Sequence, residues 1–399
     1  MKKILLTVDH QFLRPPDGKV WVKTIYGYDF WKRSLEVFDC VRIAARVREV
    51  AELEEEMLLS SGDNVEFFDL PQYRGSKEFV LRYAEIRKAV KGVMDECACA
   101  IFRIPSPIAN LVQKEVIKAG VPWATEIVND PWDNFAPGAF KSLFRPIYRI
   151  HFTKQVKQYA QKSNGVSYVT QYALQKRYPS QARLHGESET YFESYYSSIL
   201  LKKDYFWRDR IFDSSKKLFT ITHVNSCVTD FSKGHDVVIK VVKRLRDKGF
   251  PIQVRFVGDG PKRADFEKMA EELGISKYVT FTGLLASANE VRKVLIESDL
   301  LLFPTVGEGL PRTVIEAMAV GLPCLSTPVN GIPELLEDEY LIEQQDVKRF
   351  ADATETILKN EKLYIKISNR NIAKAEEYEN SVLTMRRNEF YKKLKKLTE

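Results

Sequence analysis

The chain has 399 residues, 44% of them apolar and 12% aromatic, and its 61 basic and 54 acidic residues leave a formal charge of +7. That length exceeds what one hydrophobic core usually organises, so two domains are expected, with ample apolar content for both. The bases are dispersed among acids, which argues against nucleic acid as a partner and tilts only weakly towards smaller anionic partners.

In chain order, the apolar run 2–8 stops at Asp9-His10, too short for a signal sequence or a membrane span, and reads as a first buried strand. Helical patterns follow at 31–59 and 78–95, interleaved with strand candidates at 65–68, 100–104, 123–128 and 166–169. Residues 178–210 are polar, rich in tyrosine and serine and without a clean period, so a domain boundary is expected near 205–213. Beyond it, strands at 218–222, 253–257, 278–282, 300–303 and 323–326 alternate with helices near 235–248, 262–273 and 288–297. Such alternation builds βαβ units and parallel sheets, so two Rossmann-like halves are expected. The periodic, charged tail 380–397 reads as a terminal helix. No other stretch is long and apolar enough to cross a bilayer, so any membrane contact is expected to be peripheral. Cysteines 40, 97, 99, 227 and 324 form no CxxC and cannot all pair, which fits a reduced, cytosolic setting.

The segment from Phe303 to Pro323 carries the most chemistry. Glu308 and Glu316, with seven residues between them, bracket a loop and the first turns of a helix directly after an apolar strand. Gly307 and Gly309 let backbone approach a ligand, and Pro311 suits a helix start. Such a helix mouth, with free N–H groups and partial positive charge, suits phosphate. Glu308 could then face the reacting part of the guest and Glu316 could accept hydrogen bonds from hydroxyls such as those of a ribose. Each acid also has a plainer reading, as a solvated helix residue or an acid favoured by the helix dipole. Lys233, in Ser232-Lys233-Gly234-His235-Asp236, sits at another loop-to-helix junction, where its ammonium can reach a diphosphate or lie on the surface.

Glu308-Gly309-Leu310 and Glu316-Ala317-Met318 resemble the signature of the retaining nucleotide-sugar glycosyltransferases of family 4. The series Lys233-Gly234, Gly258-Asp259-Gly260, Phe281-Thr282-Gly283 and Asn330-Gly331-Ile332-Pro333-Glu334 follows the same family's order. The resemblance implies a GT-B fold: an acceptor-binding domain over 1–208, a nucleotide-sugar domain over 209–379, and a C-terminal helix, 380–399, packed back on the first. It implies Glu308 and Lys233 as catalytic groups and Glu316, Gly309, Leu310, Thr305, Gly258 and Gly283 as donor-binding residues. Where relatives often carry an arginine five residues before the lysine, this chain has Val228. Gly18 stands in for a glycine pair that relatives bring to the diphosphate. Asp130, in a place where many relatives have a histidine near the transferred sugar, either substitutes for it or caps a turn before Pro131.

The activity so implied is transfer of a sugar from a nucleoside-diphosphate sugar to a glycan or polyprenyl-linked acceptor with retention of anomeric configuration, in bacterial surface-polysaccharide synthesis. No cofactor is expected beyond the sugar nucleotide, and no metal: there is no Asp-x-Asp and no His/Cys cluster with ligand spacing. The alternatives are a GT-B sugar-nucleotide epimerase, which would need no acceptor glycan, and a non-catalytic nucleotide-sugar binder. Two stretches mix bases with aromatics, 19–33 and 140–157. They suit a lipid-linked acceptor at an anionic membrane, and equally helix faces with aromatics inside and bases in water.

Overall fold

The computed structural model describes residues 2–53, 57–137 and 142–399. The strands are β1 Lys3–Arg14, β2 Trp21–Val22, β3 Cys40–Glu49, β4 Leu58–Leu59, β5 Val65–Leu70, β6 Cys97–Ile104, β7 Trp123–Ile127, β8 Gly165–Tyr168 and β9 Phe192–Tyr195 in a first sheet. A second sheet holds β10 Phe219–Cys227, β11 Ile252–Asp259, β12 Val279–Phe281, β13 Leu300–Phe303 and β14 Cys324–Ser326. In the first, β5, β3, β1, β6, β7, β8 and β9 run side by side in parallel, with β2 and β4 added antiparallel beyond the end of β1. The second has the all-parallel order β12-β11-β10-β13-β14. Parallel strands need covered faces, which is why β10 and β13 read as continuous apolar runs and are buried end to end apart from the last residues of β10. These are two Rossmann-like units, and the fold is GT-B.

Two expectations need correction. The helix expected over 31–59 is a short helix, Tyr28–Leu35, followed by strand β3 and the two-residue strand β4; positions 54–56 lie outside the described residues. In β3, Arg42 and Arg46 leave the sheet to bond Glu66 and Asp9, while Val41, Ile43 and Ala45 fill the core. The irregular stretch 178–210 contains β9, which closes one edge of the first sheet against β8. Of the two readings of the basic-aromatic stretch 19–33, its aromatics follow the one that puts them in the core: Tyr26 and Trp31 pack with Phe12, Phe30 packs on Tyr26 and Trp31, and Phe30 and Trp31 are buried.

The stretch 140–157 is the opposite case, apart from its residues 140 and 141, which lie outside the described ones. Phe144, Ile147 and Ile150 are exposed along the helix Arg145–Lys162, next to Leu143, which is 96% accessible. Among the described residues no helix is long and apolar enough to cross a membrane. The final helix, Asn380–Lys396, returns to the first sheet, where Phe390 stacks edge-on against Phe192 of β9 at 5.2 Å.

Candidate active site

Strand β13 feeds a loop that is braced from several sides. The Val306 N–H donates to the Ser232 carbonyl at 2.9 Å, the Thr327 hydroxyl to the Thr305 carbonyl at 2.6 Å, and the buried Thr305 hydroxyl to the Gly307 carbonyl at 3.2 Å. Gly234 has φ +79°, and a Cβ there would stand 2.2 Å from the Pro304 carbonyl oxygen. Only glycine permits both the conformation and the approach, so the Lys233 loop is held against the Glu308 loop. The outcome is a defined pair. Lys233 Nζ donates to the Gly307 carbonyl at 2.9 Å and forms an ion pair with the Glu308 carboxylate, both side chains remaining partly exposed.

The helix Arg312–Ala319 starts immediately beyond, with Pro311 at its N-cap and no side-chain capping bond. Its first N–H groups therefore lack a side-chain acceptor and carry the positive end of the helix dipole. One turn along, Glu316 has no hydrogen-bond or ion-pair partner among the described residues. Burial pushes its carboxyl up to about 7, opposed by Arg312; burial first, and then the Glu316 charge, raises the phenol of Tyr205, whose hydroxyl also lacks a partner. A half-buried acid and a buried phenol without partners make a site that can receive hydroxyl groups.

The loop of the second domain lies directly on the first. A Cβ at Gly309 would stand 2.7 Å from the Val128 carbonyl oxygen, and one at Gly331 would stand 2.7 Å from both the Gly309 oxygen and Thr170 Cγ2. These glycines let the two domains meet backbone to backbone. Leu310 is buried behind them. Asp130 belongs to this seam. Its carboxylate caps the turn Pro131–Asn134 through the Trp132 N–H at 2.9 Å, accepts from the Tyr178 hydroxyl, pairs with Arg177, and receives Asn330 Nδ2 of the second domain at 3.2 Å. Four donors leave it little capacity for a sugar, so the capping reading holds and extends across the domains.

Other expected donor residues are placed as supports. Thr305 is fully buried and its hydroxyl is used within the loop. Gly258, at φ +126°, donates its N–H to the Gly283 carbonyl at 2.9 Å, and a Cβ there would collide with the Asn225 oxygen at 1.8 Å. Gly18 sits on an exposed turn past the end of β1, bonded to the Pro15 carbonyl, with nothing within 4 Å of its Cβ position. The strand runs on through the place where a phosphate loop would begin, which carries Gly18 away from its expected task. At the missing arginine, Val228 is buried, its backbone tied to Asp259 and Lys262.

Sequence reasoning missed one interdomain contact of note. Glu334 of the second domain accepts from three successive backbone N–H groups of the first, at Gln171 (2.6 Å), Tyr172 (2.8 Å) and Ala173 (2.7 Å). Glu334 stood out only as the last residue of a motif; nothing in sequence points to a partner more than 160 residues away.

Comparison with known proteins agrees with this arrangement. Residues 219–360 match the family model described as Glycosyl transferases group 1. Protein CapJ of Staphylococcus aureus is 26% identical over 367 residues, spanning 91% of this chain and 85% of CapJ. WcaL of Escherichia coli (strain K12), a putative colanic acid biosynthesis glycosyltransferase, is 33% identical over 128 residues, which is 30% of this chain and 31% of WcaL. Anabaena HepE, solved in complex with UDP-glucose, has the same fold, with a TM-score of 0.67 at 14% identity over 98% of this chain and 99% of HepE.

Proposed function

We propose that this chain, whose residues 219–360 match the group 1 glycosyl transferases, moves a sugar from a nucleoside-diphosphate sugar to a glycan or lipid-linked acceptor with retention at the anomeric carbon. The observation that carries the reading is the meeting of Lys233 and Glu308 beside an uncapped helix start, with Glu316 further along the same helix. That HepE binds UDP-glucose supports the donor class.

In this reading the donor diphosphate lies at the helix mouth and draws the Lys233 ammonium from Glu308 to its own oxygens. The carboxylate so released turns to the sugar, where it orients hydroxyls or stabilises developing positive charge. Glu316 and its neighbourhood take the ribose. The acceptor oxygen then bonds to the anomeric carbon on the face the diphosphate leaves, and the hydroxyl proton passes to the departing phosphate oxygen. Neutralising that leaving group before it departs is electrostatic work for the lysine and the helix N–H groups. Among the described residues no group of three or more His, Cys, Asp and Glu could hold a metal ion.

The acceptor side falls to the first domain. The helix Arg145–Lys162 contains no acidic residue, and Arg145, Arg149, Lys154 and Lys157 accompany its exposed Ile147 and Ile150. Apolar side chains flanked by bases fit an anionic lipid surface, where a lipid-linked acceptor would be presented. The test is a panel of nucleotide sugars with acceptors offered in anionic and in neutral vesicles, following the anomeric proton by NMR. The expected outcome is acceptor-dependent release of nucleotide, a product with the donor's configuration, and higher turnover on anionic vesicles. Inversion would remove the mechanism, and nucleotide release without an acceptor would favour an epimerase.

A further inference from the structure

The C-terminal ends of β6 and β7, where ligands bind in parallel sheets, enclose a void of about 10 Å³ lined by Phe30, Arg33, Arg103, Glu126, Tyr196 and Tyr391. Its charges do not balance. Glu126 is the one carboxylate, and its acceptor capacity is taken up by an ion pair with Arg103 and by the hydroxyls of Tyr196 and Tyr391, each at 3.0 Å. The guanidinium groups of Arg33 and Arg103 act on it, and that of Arg387 acts on Arg33 in turn. Arg387 is buried and donates to the Thr384 hydroxyl at 3.0 Å.

Arg33 is the anomaly. It is 8% accessible, lies 3.6 Å above the Phe30 ring, and donates to no acceptor among the described residues. Burial and the neighbouring Arg387 pull it down to about 10, so it stays charged at neutral pH. A guanidinium this far from bulk water with no hydrogen-bond acceptor loses much of its hydration, which the charge of Glu126 offsets only in part, and an anion beside it relieves that cost. The void is also in the right place. Val128 and Val169, which line it, are the residues on which Gly309 of the Glu308 loop rests, with Val169 Cγ2 3.3 Å from the Gly309 Cβ position.

We propose that this pocket takes an anionic oxygen of the acceptor, so that the enzyme glycosylates an acid: a sugar carboxylate or a phosphate. The inference rests on the transferase reading above and adds the acceptor's chemistry. A void of this size admits one water-sized group, so the anionic oxygen enters while the rest of the acceptor stays in the cleft, its hydroxyl beside Glu308.

The test uses the full chain without donor, which separates it from the transferase reading. Thermal unfolding is followed while methyl glucuronide, glycerol phosphate, neutral methyl glucoside or chloride is added. Either acid is expected to raise the midpoint where the neutral sugar does not, and the stronger one tells which acid the acceptor carries. In Arg33→Met the response to acid should fall at least tenfold in apparent affinity, and Arg33→Lys should restore part of it, while affinity for a nucleotide-sugar donor is unchanged in both. Arg33→Met should also melt higher than the parent in the absence of anions, since it removes an uncompensated charge. Equal responses to acid and neutral sugar, a chloride response as large as that of the acids, or an Arg33→Met response equal to the parent's would each overturn the proposal. Absence of transfer with a retained acid response would sink only the transferase reading.

Discussion

At the scale of single residues, Glu316 is the sharpest test because its two roles have opposite signs. Its carboxyl is held up at about 7 by burial. An unfolded glutamate ionises near its ordinary value, so the folded state binds the extra proton, and its stability falls as pH rises from about 4.5 to 7. Glu316→Gln removes that cost and should stabilise the empty protein at pH 8 by up to about 3 kcal/mol. The ionised carboxylate, however, is the form that accepts from two ribose hydroxyls. Between pH 6 and 8 its population rises about tenfold, and donor affinity should rise with it by up to about the same factor, whereas Glu316→Gln should bind donor weakly and without pH dependence. Melting curves and donor titrations at both pH values read the two effects. A variant that melts lower and binds as before would make Glu316 structural. The placement of Lys233 and Glu308 beside a helix mouth, with Glu316 on that helix, was legible in sequence because a helix mouth, a glycine loop and a lysine before a glycine are local patterns. Arg33 was not: its meaning comes from Arg103, Glu126 and Arg387, which only the fold brings to it.

At the scale of elements, the same division explains what was read correctly. Strands β13 and β14 are short, largely apolar segments buried along their whole length, and β10 and β11 bury apolar residues at alternating or successive positions, so their type leaves little ambiguity. Strand β3 was misread because its arginines answer to Glu66 on β5 and Asp9 on β1, partners far along the chain. Strand β9 was missed because four residues of Phe-Glu-Ser-Tyr carry too short a pattern to show a period. The contact of Glu334 with residues 171–173 belongs here, since it joins a 3-10 turn of one domain to a short helix of the other. Three charge-assisted hydrogen bonds to one carboxylate make a strong latch. Glu334→Ala should leave those three amides without acceptors, and their hydrogen exchange should speed by at least tenfold, about 1.4 kcal/mol of opening free energy. Donor affinity should fall as well, because Gly309 and Gly331 lose the surface that holds their loop. Unchanged exchange at 171–173 would show that the domains keep their seam without Glu334.

At the scale of the whole molecule, the last helix decides whether two domains behave as one. The chain leaves the first domain after β9 and returns at Asn380, whose N–H bonds the Leu201 carbonyl at 2.8 Å. The helix then buries Leu383, Phe390, Tyr391 and Leu394 against the first domain, with Tyr391 reaching Glu126 and Lys395 Nζ donating to the Val37 carbonyl at 2.7 Å. The sequence shows the helix through its period and charge; where it packs is visible only in the assembled fold. Each such side chain is worth about 1.5–3 kcal/mol when buried, so the four together rival the stability of an ordinary domain. The first domain is therefore built partly from the end of the chain, and its stability depends on the second domain delivering that helix. Phe390→Ala should cost about 3–5 kcal/mol and fall on the first domain alone. Calorimetry should then resolve an early transition that an acidic ligand of the Arg33 pocket raises and a later one that the sugar nucleotide raises. If the melt stays single and shifts as a unit, the interdomain seam at Gly309, Gly331 and Glu334 is the dominant coupling, and the helix is secondary to it.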